Sequence, residues 1–238
     1  MKRISQRKDT RTEFRAEKSA LSKAIGVGLR AGGTAVLLSM SSQVLAQFGA
    51  VVELSDLDGS DGFVINGVDS GDQSGFSVSG AGDVNGDGVS DLLVGAPAGD
   101  PNGNRGAGES YVVFGGAVVG TGGSVELSDL DGSDGFVLNG ADISDRSGAS
   151  VSIGGDVNGD GVADLIIGAE YADPNGNNLA GESYVIFGGV GVGTDGSVEL
   201  SDLDGSDGFV LNGADIGDRS GASVSGCLLY TSPSPRDS

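Results

Sequence analysis

The sequence predicts an all-β protein made of repeated, four-stranded antiparallel sheets, and two observations carry that expectation. The first is an internal repeat. Glu53-Leu-Ser-Asp-Leu-Asp-Gly-Ser-Asp-Gly-Phe63 recurs from Glu126 and again from Glu199, 73 residues apart each time. Asp83 to Asp156 and Phe114 to Phe187 keep the same 73-residue interval. A fixed period of this kind signals stacked or radial units, each burying a face against its neighbour. The second observation is the content of one unit. Four short β-type runs, Ala149–Ile153, Asp164–Ala169, Glu182–Phe187 and Gly208–Asn212, are separated by Gly/Pro/Asn turns, and nothing has a helical period. Four strands per unit describe the blade of a β-propeller. A β-solenoid, the competing architecture, repeats at shorter intervals.

In chain order, residues 1–46 come first. Nine of the 13 Lys/Arg lie there, followed by a short, small-residue apolar run at Ala31–Met40 and then Val44-Leu45-Ala46. A basic start, a short apolar stretch and small residues before a cut at Gln47 are the layout of a secretory signal peptide. The apolar run is too short to span a bilayer comfortably, which disfavours a membrane anchor. Residues 47–226 hold the repeats: two full blades and the edges of two more. At 229, where the interval calls for the next Asp, stands Leu229. Residues 227–238, from Cys227 onward, match nothing in the repeats and resemble translated sequencing-adapter DNA, so a longer natural protein is expected. The one cysteine of the chain lies in that tail, so disulfide or thiol chemistry in the repeats is not expected.

Within the repeats the chemistry concentrates in one nonapeptide, Asp83-Val-Asn-Gly-Asp-Gly-Val-Ser-Asp91, written again as Asp156-Val-Asn-Gly-Asp-Gly-Val-Ala-Asp164. Oxygen side chains fall at positions 1, 3, 5 and 9 and glycine at 4 and 6. A hard cation such as Ca²⁺ takes six to eight oxygen ligands. Alternating Asp/Asn/Asp can surround it only if the backbone curls, and glycine permits the positive φ that the curl needs. Without a cation, three carboxylates this close repel one another. The spacing is that of the start of an EF-hand loop, but position 12 is Val94 or Ile167 inside an apolar run rather than a bidentate Glu. The expected site is therefore a calcium loop in a turn that leads into a strand; the alternative is a metal-free Asx/Gly turn.

The order Ser-Gly-Ala-Ser-Val, Gly-Asp-Val-Asn-Gly-Asp-Gly-x-x-Asp-Leu-(Leu/Ile)-(Val/Ile)-Gly-Ala, Gly-Glu-Ser-Tyr-Val-(Val/Ile)-Phe-Gly-Gly resembles the FG-GAP repeat of integrin α subunits and of many bacterial secreted proteins. The resemblance covers about residues 47–226. It departs where the Phe-Gly pair becomes Gly75-Phe76 or Gly148-Ala149, and where Gly95-Ala96-Pro97 becomes Gly168-Ala169-Glu170. It implies a propeller of about seven blades with a structural Ca²⁺ bracing a turn of each metal-bearing blade. By that resemblance the ligands are Asp83, Asn85, Asp87, the carbonyl of Val89 and Asp91 in one loop. In the other they are Asp156, Asn158, Asp160, the carbonyl of Val162 and Asp164.

Other motifs carry less. Asp56-Leu-Asp-Gly-Ser-Asp61, repeated from Asp129 and Asp202, has acids at 1, 3 and 6 and reads as a turn, with a second cation site as the alternative. Asp100-Pro-Asn-Gly-Asn104 and Asp173-Pro-Asn-Gly-Asn177 read as turns, with exposed binding tips as the alternative. Residues 47–226 set 30 Asp/Glu against Arg105, Arg146 and Arg219, a formal charge of −27. Such a surface repels phosphate backbones and anionic lipid, which excludes nucleic acid as an expected partner. With no histidine in the chain, Ser-His-Asp chemistry is impossible, and the clustered carboxylates are claimed by loop and turn. The expectation is a secreted or cell-surface, non-enzymatic, calcium-binding module for adhesion or for binding an extracellular protein or glycan. The alternative is the non-catalytic propeller portion of a larger secreted hydrolase.

Overall fold

The computed structural model describes residues 53–226. The expected signal peptide and the adapter-like tail lie outside the described residues. The eleven strands are β1 (Val64–Asn66), β2 (Ser77–Gly82), β3 (Asp91–Ala96), β4 (Glu109–Val113), β5 (Ser124–Glu126), β6 (Gly135–Asn139), β7 (Ser150–Gly155), β8 (Asp164–Ala169), β9 (Glu182–Ile186), β10 (Ser197–Glu199) and β11 (Gly208–Asn212). Three-residue 3₁₀ turns, Pro101–Gly103 and Leu127–Asp129 among them, are the only helical pieces among the described residues.

Two blades result. In the first, β2, β3, β4 and β6 pair antiparallel in chain order; in the second, β7, β8, β9 and β11 do the same. The four runs expected of a unit are thus its four blade strands. The expected four-stranded sheet is nevertheless too small for the first blade. Strand β10 adds a fifth, parallel member beside β6, and β5 pairs in the same way with β1. A Ser-Val-Glu tripeptide is too short to show a period of its own. A partner 60 residues earlier holds it in place: the Asn139 side-chain amide donates to Glu199 Oε1 (2.6 Å) and that of Asn66 to Glu126 Oε1 (2.6 Å). Each such strand ties the start of one unit to the outer strand of the unit before.

Side chains alternate across each strand, so a blade has two faces. The face of the first blade carrying Leu93, Val112, Phe136 and Leu138 packs on the face of the second carrying Val151, Leu165, Ile167, Tyr184 and Ile186. This sheet-on-sheet contact is the main core. The opposite face of the first blade, with Val94, Tyr111 and Val113, is covered in part by Leu127. Successive units also meet through backbone. A Cβ on Gly95 would stand 2.1 Å from the carbonyl oxygen of Gly148, and one on Gly168 would stand 2.0 Å from that of Gly221. Glycine in the Gly-Ala pair that ends β3 and β8 is required by close approach.

The hairpin β2–β3 turns through residues 83–90, and β7–β8 through 156–163, so both calcium-type loops project from the same end of the blades. The β3–β4, β6–β7 and β8–β9 loops lie at the other end.

Candidate metal centres

Gly82 pairs with Asp91 after a register shift that leaves Ala81 as an extra residue, and Gly155 pairs with Asp164 in the same way. The nonapeptide is thereby closed at its base by a strand pair and bulged just before it. Inside it Gly86 and Gly88 take φ of 79° and 86°, and Gly159 and Gly161 take 81° and 91°, the left-handed conformation that glycine adopts without strain. The chain curls back over its own acids.

Each acid then receives backbone N–H groups. The amides of Gly86 and Asp87 donate to Asp83 Oδ1 (2.8 and 2.9 Å) and that of Gly88 to Oδ2 (2.8 Å). The Asp87 amide also donates to Asn85 Oδ1 (3.0 Å), the Val89 amide to Asp87 Oδ1 (2.7 Å), and the Asn85 side-chain amide to Asp87 Oδ2 (3.2 Å). The second hairpin repeats the set bond for bond: Gly159, Asp160 and Gly161 on Asp156, Asp160 on Asn158, Val162 on Asp160, and the Asn158 amide on Asp160. Asp83, Asn85 and Asp87, and their counterparts, are therefore gathered on the inner side of one curl.

The acid at position 9 lies deeper. Asp91 is 1 % exposed and Asp164 fully buried. Asp91 accepts from Val84 (2.9 Å) and from Gly115 (2.8 Å), 24 residues on. Asp164 accepts from Val157 and, at 2.9 Å, from Gly188. Burial lifts the Asp91 carboxyl above its usual range; the amides of Gly115 and Val84 oppose that, and the charges of Asp87 and Asp83 add to it. This acid fastens the hairpin to the segment that leaves the third blade strand. Nothing in the nonapeptide announces Gly115 or Gly188 as its partner. The signal that could have found them is the 24-residue spacing kept in both units.

Among the described residues no three carboxylates converge into a cluster that would grip an ion as they stand, because their oxygens are turned to the loop amides. The donor set still fits a hard cation. It is all oxygen, carries three carboxylates, and has capacity to spare: of the four lone-pair sites a carboxylate offers, Asp83 uses three and Asp87 two. The expected carbonyls of Val89 and Val162 belong to the same curl, which their own amides close onto Asp87 and Asp160.

The other acidic motifs form capped turns. Ser133 donates its amide (3.0 Å) and hydroxyl (2.6 Å) to Asp131, and Ser206 does the same to Asp204 (3.0 and 2.7 Å). These hydroxyls hold both carboxyls below the usual range. In the Pro-Asn-Gly turns, Asp100 accepts from Gly106 (2.7 Å) and Asp173 from Leu179 (2.6 Å).

The family model of the FG-GAP repeat matches residues 74–113 and 147–186, which are the first three strands of each blade with the hairpin between them. Among proteins of known identity, integrin alpha-PS2 of Drosophila melanogaster is similar, 34% identical over 130 residues. That match takes in 53% of this chain and 8% of the relative, so the chain spans under a tenth of the protein it matches. Hairpin, flanking strands and blade pairing agree with this match, and residues 74–113 and 147–186 are two FG-GAP repeats of a β-propeller type.

Proposed function

We propose that the chain is an exported, calcium-stabilised propeller module that binds an extracellular protein or glycan in adhesion and has no catalytic role of its own. The observation that carries this reading is the hairpin pair: two nonapeptides, 73 residues apart, with the same oxygen set, the same curl and the same buried anchor. Similarity to an integrin alpha chain and a body of charge −27 favour an extracellular, cation-rich setting. The basic, then small and apolar, residues 1–46 would direct export.

In this reading Asp83, Asn85, Asp87, the Val89 carbonyl and Asp91 hold one ion, and Asp156, Asn158, Asp160, the Val162 carbonyl and Asp164 another. A bound Ca²⁺ would supply positive charge to a loop that carries three carboxylates. The residues themselves do the rest: Asp91 and Asp164 keep the loop fixed over the strand that follows, and the glycines keep the curl open to an ion. At a dissociation constant of ~0.1–1 mM, millimolar Ca²⁺ adds roughly 0.4–1.4 kcal/mol per loop.

Calorimetric titration of Ca²⁺ into the chelator-treated chain is the test. Two sites are expected, and Asp160→Ala should remove one while the fold persists. An isotherm that keeps both sites in Asp160→Ala, or a melting temperature indifferent to chelation, would overturn the assignment.

A further inference from the structure

The acidic body has only Arg105, Arg146 and Arg219 as cations, and all three gather at the end of the blades opposite the hairpins. Arg105 and Arg146 line a groove of about 630 Å³ between the two blades. Tyr171, from the β8–β9 loop, lines it with them, and the guanidinium carbons of Arg146 and Arg219 each stand 4.9 Å from the centre of its ring. Arg219 lies 3.8 Å from Glu170; among the described residues, Arg105 and Arg146 have no carboxylate partner. Arg146 and Arg219 also take φ of 58° and 54°, where glycine or asparagine would sit with less strain. In a body so rich in acid, two unpaired arginines beside a third are not accounted for by ion pairing within the fold.

Stacking engages the face of a guanidinium and leaves its in-plane N–H groups free, in the fork that matches a carboxylate. Tyr171 thus orients Arg146 without consuming its donors. Asp72 and Asp100 line the same groove, so closely spaced negative charges are repelled there. We propose that this groove binds one isolated carboxylate, an acidic side chain on an extended segment of a partner protein, with Arg105 and Arg146 as donors and Tyr171 as the positioning residue. It gives the partner in the binding reading a chemical class. The site is distant from the hairpins and does not depend on Ca²⁺, so it stands or falls separately from the metal assignment.

Arginine Nε–Hε resonances of the ¹⁵N-labelled full chain in chelator provide the test. The probes are blocked Gly-Gly-Glu-Gly-Gly, its Gln counterpart and polyglutamate. The expected result is saturable movement of the Arg105 and Arg146 signals with the Glu peptide only, polyglutamate no tighter per chain, and a loss of about tenfold or more in Arg146→Gln. Arg146→Lys, which keeps the charge and loses the fork, should also weaken binding, with backbone spectra confirming that both variants fold. Equal shifts with the Gln peptide, no saturation, tighter binding of polyglutamate, or an Arg146→Gln variant that melts lower yet binds equally well would each overturn the proposal.

Discussion

Leu92 and Leu165 stand at the same place in two copies of one repeat, yet Leu92 is 38 % exposed and Leu165 fully buried. Val78 and Val151 differ in the same sense, exposed against buried. The strand pairing of the two positions is equivalent. The difference arises because the second blade lays that face on the first, whereas the corresponding face of the first blade is covered only in part, by Leu127 and its neighbours. The hairpins behave oppositely. Their hydrogen bonds are the same in both copies but for one, a long Asn158 amide bond to Asp164 (3.3 Å), because nearly every donor and acceptor lies within the nonapeptide. Local bonding travels with the repeat; burial depends on what is next to it.

Three pairs of substitutions probe that contrast. The largest effect is expected at the buried hairpin acids. Asp164→Ala leaves the amides of Val157 and Gly188 without their acceptor and should cost on the order of 4 kcal/mol. Asp91→Ala should cost a similar amount, because it anchors the equivalent amides of Val84 and Gly115, and the extra Asn158 bond of Asp164 is long at 3.3 Å. Urea midpoints for the two variants check this, and a wide gap between them would break the claim that the hairpins are equivalent.

Next comes the paired leucine comparison. Leu165→Ala removes a fully buried side chain from the blade contact and should cost about 3 kcal/mol, while Leu92→Ala should cost roughly 1 kcal/mol or less. Equal losses in denaturant unfolding would mean that the two faces are covered alike in solution.

The smallest effect is electrostatic and depends on pH. Asp72 and Asp145 are equivalent positions, both buried. Burial lifts both above the usual range, but the Asp69 amide restrains Asp72. Asp145 is pushed up to about 7, by burial first and then by the charges of Asp142, Glu182 and Asp173. A folded-state pKa above the unfolded value means that the native state binds more protons between roughly pH 4 and 7. Stability contributed by this group therefore falls as pH rises through that window. Asp145→Asn should stabilise the chain at pH 8 by on the order of 2 kcal/mol and flatten the slope from pH 5 to 7. Asp72→Asn should change that slope less, as read by thermal melts across the range.

The blade strands could be read from the chain because each is a run such as Asp-Leu-Ile-Ile-Gly-Ala bounded by turn residues, so its pattern is complete within about six positions. The nonapeptide could be read for the same reason: Asp83, Asn85 and Asp87 meet through a curl that Gly86 and Gly88 allow locally. Strands β5 and β10 could not, since a three-residue strand exists only through its parallel neighbour in the unit before. The anchoring of Asp91 by Gly115 was hidden because it joins segments 24 residues apart. The groove at Arg105, Arg146 and Tyr171 was hidden because three separate loops build it, and the Asp-Pro-Asn-Gly-Asn turns in two of them do not show which residues they bring together.

Sequence alone determined the period, the strand alternation and the oxygen sets of the hairpins, all properties of short stretches whose bonding closes on itself. Tertiary structure alone decided which leucine is buried, which aspartate resists ionisation, and where the arginines meet. Those depend on packing one blade against the next, and a repeat unit read by itself contains no record of its neighbour.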